Sequence, residues 1–596
     1  MRRFLATIGV ASVALAAGAI QASSLVAAAS NGNSATAHLT LKGYFSPKSI
    51  TSSGELAPQL DQQTPPHQPM SKTIRHTSAS GTPDIAGNSI TTTPSAAGWN
   101  GISHLDQRLA GTGAYTNTQF SLEPPDQGLC VGNGDVLEAV NNAYQVYNTT
   151  GQSLTPPIAL SQFYLLAPEV VRNPDGTSGP FGPFISDPKC YFDPLSHRWF
   201  LTELELEVDS STGNFTGGSD ELIAVSTTDD PILRWAIYSF STTDASRAGC
   251  GCFGDQPLIG ADANGFYIST NEYGVFTSAY YGAQIYAISK AALTAANAVN
   301  PPLVTHIDAG LKTLSQGGLA YSVQPATSPT TSGWDMDNNG TEYFLSTTDW
   351  STGPALGVRA TTIEVWALTN TASLATISPS VSLSNFALSS ELYAQPPNAE
   401  QAPGPTPLAK ALKDHLELID TNDDRMNQVV FADGKLWSAA NTAVQPPNGP
   451  VVAGIAYFIV NPDDSTGTLS ASMAQQGYVG AAREDVIFPS IGVTAGGDAM
   501  MAFTLVGPDF HPSAAYTTLS VTDGAGAIHI AALGELPDDG FTGYRLEGGS
   551  GHGRWGDYSA AVADGNGNVW MATEWIKNAP RSFYANWNTF VYEVTP

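Results

Sequence analysis

Beyond about residue 101, short runs of aromatic and β-branched residues recur along the chain, separated by Gly, Asn, Asp and Pro. Short apolar runs bounded by turn residues read as β-strands. The runs group into units. Each opens on a polar residue, crosses an apolar strand, turns, and returns through a second strand ending in a polar residue. The first unit reads Asp126-Gln127-Gly128-Leu129-Cys130-Val131, turns at Gly132-Asn133-Gly134 and returns to Asn141. The second runs from Asp187 through Asp193 to Glu203, and the third from Asp255 through Asp262 to Glu272. The fifth runs from Arg425 through Asp433 to Asn441, and the seventh from Asp557 through Asp564 to Glu574. Less regular units open at Gln324 and Asp485. The openings at 126, 187, 255, 324, 425, 485 and 557 lie 60 to 72 residues apart, except for one gap of 101.

A unit of that length fits a four-stranded sheet with generous loops. Seven of them predict an all-β, seven-bladed β-propeller over residues 101–596. A β-sandwich pair or a solenoid is the alternative architecture. The long gap holds Pro407-Leu408-Ala409-Lys410-Ala411-Leu412-Lys413, a proline followed by good helix formers, which predicts a partly helical insertion near 386–420. The last unit has room for three strands, near 558–564, 568–575 and 588–594. An N-terminal strand near 112–122 is expected to supply the fourth, closing the ring and covering the exposed sheet edge.

The start of the chain has another character. Met1-Arg2-Arg3 precedes an apolar, alanine-rich run over 4–20, and Ala27-Ala28-Ala29 follows. This is the pattern of an export signal, here residues 1–29, so the mature protein is expected to be secreted, extracellular or periplasmic. No later run approaches the roughly 18 apolar residues of a membrane span, so no membrane partner is expected after signal removal. Residues 30–100, dominated by Ser, Thr, Pro, Gly and Ala, read as a disordered leader or linker. Cys130, Cys190, Cys250 and Cys252 permit disulfides in an exported chain. Three pairings are open. Cys130–Cys190 is favoured, because both fall at similar places in successive units. The formal net charge of −29 repels phosphate backbones and anionic membranes, which excludes nucleic acid as a partner. A monomer is expected.

Three stretches carry a family resemblance: Glu123-Pro124-Pro125-Asp126 through Ala139-Val140-Asn141-Asn142, Ser226-Thr227-Thr228-Asp229-Asp230-Pro231, and Arg554-Trp555-Gly556-Asp557-Tyr558-Ser559. Over residues ~100–596 the chain resembles a largely uncharacterised group of exported bacterial β-propeller proteins, similar in fold to the sialidase superfamily. The resemblance implies the fold and little about activity. The turn at Asp564 departs from the aspartate box of sialidases, with Gly567 three and Trp570 six residues on. No three-arginine carboxylate clamp is assignable.

In a propeller the innermost strands line the central channel. The two polar positions of each unit should therefore meet at the channel mouth. The expected rim is Asp126, Asn141, Asp187, Glu203, Asp255, Glu272, Asp349, Arg425, Asn441, Asp485, Asp557 and Glu574, with Arg554 and the Gly548-Gly549-Ser550-Gly551 loop beside it. So many carboxylates in one funnel need a cation, an arginine or raised pKa values. Paired carboxylates of unequal pKa are also what glycoside hydrolysis uses. Asp187, Glu203, Asp255, Glu272, Asp557 and Glu574 are accordingly candidate catalytic acids. Asp126, Asn141, Arg425, Asn441, Asp485, Arg554, Trp555 and Tyr558 are candidate ligand-binding residues, the aromatic ones for stacking on sugar rings, as are Trp575 and Tyr273. The bland reading is that these acids only accept hydrogen bonds from backbone amides at strand ends.

Asp335, Asp337 and Asn339, followed by Gly340, resemble the start of a calcium loop, although Ser346 stands where the closing Glu belongs. Asp420-Thr421-Asn422-Asp423-Asp424 is similar. Ser550 lies in Gly548-Gly549-Ser550-Gly551-His552, which lacks the last glycine of a hydrolase elbow, and the scattered histidines give a Ser/His/Asp triad no sequence support. The sequence thus predicts a secreted propeller engaging a polysaccharide or other polar ligand at an acidic mouth, with glycoside hydrolysis as the candidate activity. The alternative is a non-catalytic binding or scaffold propeller stabilised by calcium.

Overall fold

The computed structural model describes residues 34–50, 82–243, 251–277, 279–295, 301–311, 314, 318–348 and 359–596. The expected signal over 1–29, Cys250 and Asp349 lie outside the described residues. The chain is nearly all β. Among the described residues, seven antiparallel meanders follow one another, and each keeps its strands in sequence order. They begin with strands Gln127–Gly132, Phe184–Asp193, Cys252–Ala261, Gln324–Thr327, Val429–Ala432, Asp485–Val493 and Ala560–Ala563. The fourth and fifth are joined into one eight-stranded sheet by parallel pairing of Gln324–Thr327 with Val429–Ala432.

Local sequence explains the hairpins. Asn133-Gly134 and Asp433-Gly434 connect first to second strands, and all four residues have positive φ. Two-residue turns of that kind match the right-handed twist of the strands they join. The core lies between meanders rather than within one. Trp199, Leu201 and Leu222 of the second pack on Leu137, Tyr144 and Val146 of the first. Trp570 and Val591 of the seventh pack on Leu129, Val131 and Tyr147 of the first. The Cys130–Cys190 disulfide, with 5.4 Å between its Cα atoms, links the first strands of the first two meanders.

Two expectations about the N-terminal part are corrected. Residues 112–122 form no strand; a short 3-10 turn occupies Gly113–Tyr115. The strand that pairs with Trp587–Val594 is Ala97–Ser103. The segment read as a disordered leader also contributes pairing strands: Ser34–His38 to Leu303–Asp308, Thr40–Phe45 to Trp235–Ser241, and Ile90–Thr91 to Ile528–Ala532. An outer sheet edge offers unpaired N–H and C=O groups, which a Thr-rich segment of low hydrophobicity can satisfy without a core of its own. The helix expected in the long gap is Pro407–Leu412, whereas 386–393 belong to strand Ser382–Tyr393.

Candidate functional site

The first strands start at one end of the molecule, and there the chain is bent. Asp126, Asp187, Gln256, Ser322 and Phe488 all have φ between 36° and 64°. In the second, third and sixth meanders the pairing register shifts at that point, between Ser186 and Lys189, Asp255 and Leu258, and Ile487 and Ser490. Such bulges re-aim side chains. Asp187 and Asp255, at two of these shifts, lie within electrostatic reach of each other, and Asp557 and Asp126, from the seventh and first meanders, lie within reach of Asp187.

The cluster is only partly neutralised. Arg554 Nη2 donates to both carboxylate oxygens of Asp557 at 2.9 Å. Asp126 accepts the backbone N–H of Asp557 at 2.6 Å, and Asp187 accepts the Ser186 hydroxyl at 2.8 Å. Burial, reinforced by Asp255 and Asp557, raises the Asp187 carboxyl to about 6. Burial also raises Asp126 well above the usual carboxylate range, with Asp557 and Asp187 adding to the effect. Lys189 Nζ lies over the Tyr558 ring. Its burial outweighs the pull of Asp126, Asp187 and Asp557 and lowers its pKa to about 7. Asp187 and Lys189 therefore both exchange protons near neutral pH. A cation two residues after an acidic anchor, in a chain with 24 Lys+Arg against 53 Asp+Glu, was the available signal for Lys189.

Arg425 belongs to this end of the molecule, but its charge is already used. Its Nε and Nη2 donate to the two oxygens of Asp423 at 2.6 and 2.7 Å, Nη2 also reaches Asn422 at 3.1 Å, and Nη1 bonds Gln256. Asn422 in turn donates to Asp557 at 3.1 Å. The 420–424 segment thus ties the acidic cluster to the fifth meander.

Several expected rim residues do other work. Asn141 and Asn441 are straps. Each amide oxygen accepts the N–H of the left-handed residue opening the next meander, Asp187 at 3.4 Å and Phe488 at 2.7 Å. Asn271, which the sequence reading passed over for Glu272, does the same for Ser322 at 2.8 Å. Glu272 is buried against Gln284, which donates to it at 3.1 Å. Asp485 accepts the N–H groups of Ala453 and Glu400, and Glu574 accepts that of Gly556. Glu203 is 0% exposed, and neither carboxyl oxygen has a hydrogen-bond partner. Burial raises it well above the usual carboxylate range, with Asp187 adding to the effect. The physical reason is common to Glu203 and Glu272: their strands, Arg198–Val208 and Gly265–Gly274, run on past the polar residue and bury it between sheets. Trp555 and Tyr558 are buried too, and Trp555 Nε1 donates to Thr504 at 3.0 Å, so neither presents a face for sugar stacking. Trp575 and Tyr273 are likewise buried.

Of the calcium candidates, Asp335 and Asp337 converge with Asp464, and the three could share an ion. Asn339 Nδ2 donates to Asn370 Oδ1 at 3.5 Å. Asp464 and Asp335 already accept the Tyr343 hydroxyl at 3.0 and 2.8 Å. Among the described residues, Asp414, His415 and Glu417 form the other group close enough to share an ion.

No family model matches this chain, and no curated protein is similar to it. Similar solved structures, all at low identity, include glycosidases, a sialidase and an ACO/RPE65 chimera, the last 10% identical over 70% of this chain and 74% of its own, with a TM-score of 0.33. The Trypanosoma rangeli sialidase is 11% identical over 71% of this chain and 57% of its own, with a TM-score of 0.32. An exo-β-1,3-galactanase from Phanerochaete chrysosporium is 9% identical over 81% and 95%, at 0.26. An α-L-arabinanase mutant from Cellvibrio cellulosa is 8% identical over 69% and 95%, also at 0.26.

Proposed function

We propose that this chain is an exported seven-bladed β-propeller, closed by strand Ala97–Ser103, that binds a carbohydrate at the acidic end of its first strands and hydrolyses it. The closed ring is supported by contact between the first strands of the seventh and first meanders. Export is supported by the residue pattern over 1–29 and by the Cys130–Cys190 disulfide, which suits an oxidising compartment. The observation that carries the activity is the crowding of carboxyls around Asp187. Asp187 is raised to about 6 by burial and by Asp255 and Asp557, and Arg554 ion-pairs with Asp557 beside it. Asp187 is suited to protonate a leaving oxygen, and Asp255, whose charge acts on it most strongly, is the partner carboxylate.

A scaffold reading is favoured by one set of observations: Asn141, Asn441, Asp485 and Glu574 are all engaged with backbone, and Asp335, Asp337 and Asp464 offer a calcium-stabilised corner. A screen of the secreted protein against polysaccharides, with and without chelator, separates the two. Under the hydrolase reading Asp187→Asn lowers kcat by about 100-fold or more. Absence of hydrolysis across the panel, with a melting temperature that falls on chelation, supports the scaffold.

A further inference from the structure

Next to the acidic cluster, a glycine-rich loop holds three residues in a relay. Ser550 Oγ lies 2.9 Å from His552 Nε2, and His552 Nδ1 lies 3.0 Å from Asp420 Oδ2. Sequence spacing hides the arrangement, because Asp420 is far from the other two along the chain. A two-residue parallel pairing of Leu418–Ile419 with His552–Gly553 brings them together, and Asp420 N donates to Gly553 O at 2.8 Å. The other oxygen of Asp420 is fixed by the N–H of Asn422 at 2.9 Å. The serine loop is pinned on both sides, with Gly549 N bonded to Tyr544 O and Gly551 N to Gly543 O. Gly548 and Gly551 have φ of 95° and 98°, and a Cβ on Gly549 would stand 2.3 Å from Thr542 O, so the turn requires glycine. Ser550 is exposed, and His552 and Asp420 are half-buried behind it.

We propose that Ser550, His552 and Asp420 form a nucleophile, base and orienting carboxylate that hydrolyse carboxylic esters at the edge of the acidic end. This chemistry does not depend on the glycosidase reading, because it uses other residues and another substrate class. The Asp420 carboxylate stands 3.0 Å from Nδ1 as an ion-pair contact rather than an aligned hydrogen bond, and a small turn of the ring would place the proton on Nδ1 with Nε2 as the acceptor from Ser550. Ser550 Oγ bonds to the ester carbonyl carbon as its proton passes to His552 Nε2. The carbon–oxygen bond to the alcohol breaks as His552 returns that proton to the leaving oxygen. Water then attacks the acyl-serine and gives a proton to His552, which passes it to Ser550 Oγ as the carboxylic acid departs. Glu417, within electrostatic reach of His552, helps to counter the transient imidazolium.

The secreted full chain is treated with a fluorophosphonate, and the adduct is located by peptide mass spectrometry. p-Nitrophenyl acetate hydrolysis is followed in parallel. The expected result is one adduct, on Ser550, with labelling and esterase rates falling about 100-fold or more in His552→Gln. Asp420→Asn is expected to lower both, and Asp420→Glu to restore part of the rate, which a purely structural loss would not do. No adduct, an adduct elsewhere, or Ser550 labelling at an unchanged rate in His552→Gln overturns the proposal. The site of labelling in the unmodified sequence decides even if a variant fails to fold.

Discussion

The two ends of the first strands carry the same residue types in opposite roles. At the starting end, Asp126, Asp187, Asp255 and Asp557 face one another with Arg554 and Lys189 among them. At the far end a cavity of about 630 Å³ opens between the strands, lined by the Cys130 and Cys190 pair, Phe192, Val562 and turn residues. Acids occur there as well, but each closes a local structure. Asp262 accepts the N–H groups of Asn264 and Gly265, and Asp564 those of Asn566 and Asn568. Asp193 accepts the N–H and the hydroxyl of Ser196 at 2.9 and 2.6 Å, and it is the exception in also holding a buried cation from another sheet, Lys290, at 2.7 Å. An aspartate in a tight turn satisfies its own backbone. Asp187 and Asp255, placed at bulges, instead come within electrostatic reach of each other across neighbouring sheets.

The strongest way to break this contrast is to remove a buried cation from the starting end. Arg425→Met leaves Asp423 buried without its ion-pair partner, and a loss of about 3–5 kcal/mol is expected. The far-end counterpart, Lys435→Met, removes the half-buried partner of the exposed Asp433 and should cost about 0–1 kcal/mol. Urea denaturation midpoints of the two variants compare them directly. Equal losses would mean that the two ends do not differ in how they use charge.

A smaller effect follows from pH. Asp187 is raised from 3.8 to about 6, so its contribution is present below pH ~4 and is lost as pH rises through ~6. At about 1.4 kcal/mol per pKa unit, that loss is bounded near 3 kcal/mol. Lys189 is lowered from 10.5 to about 7, so its contribution is present above pH ~10 and is lost as pH falls through ~7. The two run in opposite directions and leave this end least stable between them, near pH 6–7. Melting curves of the unmodified sequence and Asp187→Asn should diverge between pH ~4 and ~6, with the variant showing the flatter dependence. Parallel curves across that window would show that Asp187 is not strained by its neighbours.

How legible this was in the sequence depended on range. The openings at Asp126, Gln324 and Asp485 fall at or beside the starts of first strands, because turn chemistry and apolar runs are local signals. The choice between Asn271 and Glu272 was not legible. Side chains alternate across a strand, so a one-residue error moves the chosen residue from the strap position to the interior of the sheet. The pairing of 34–45 and 97–103 with outer strands was hidden as well, since it satisfies sheet edges made by residues far along the chain. The Ser550–His552–Asp420 relay has the same cause, a contact made by two short parallel strands rather than by spacing. Lys189 was readable as a charge, but its proximity to Tyr558 was not.

The smallest expected difference sharpens the comparison most cleanly, because it changes no charge. Asn441→Ala at the starting end removes the acceptor for the buried Phe488 N–H and the donor to Thr421 O. Orphaning that amide should cost about 1–3 kcal/mol. Gly434→Ala at the far end meets no atom within 4 Å, so its only cost is holding alanine at a φ of 66°. That cost is about 1 kcal/mol. Amide hydrogen exchange separates the two beyond their total energies. Asn441→Ala should expose the first strand of the sixth meander, Asp485–Val493, to faster exchange, because the strap crosses from one sheet to the next. Gly434→Ala should leave exchange in that strand unchanged and affect only its own hairpin, because the Asp433-Gly434 turn is closed within one sheet. If both variants loosened the same strand, the starting end would not be where successive sheets are joined.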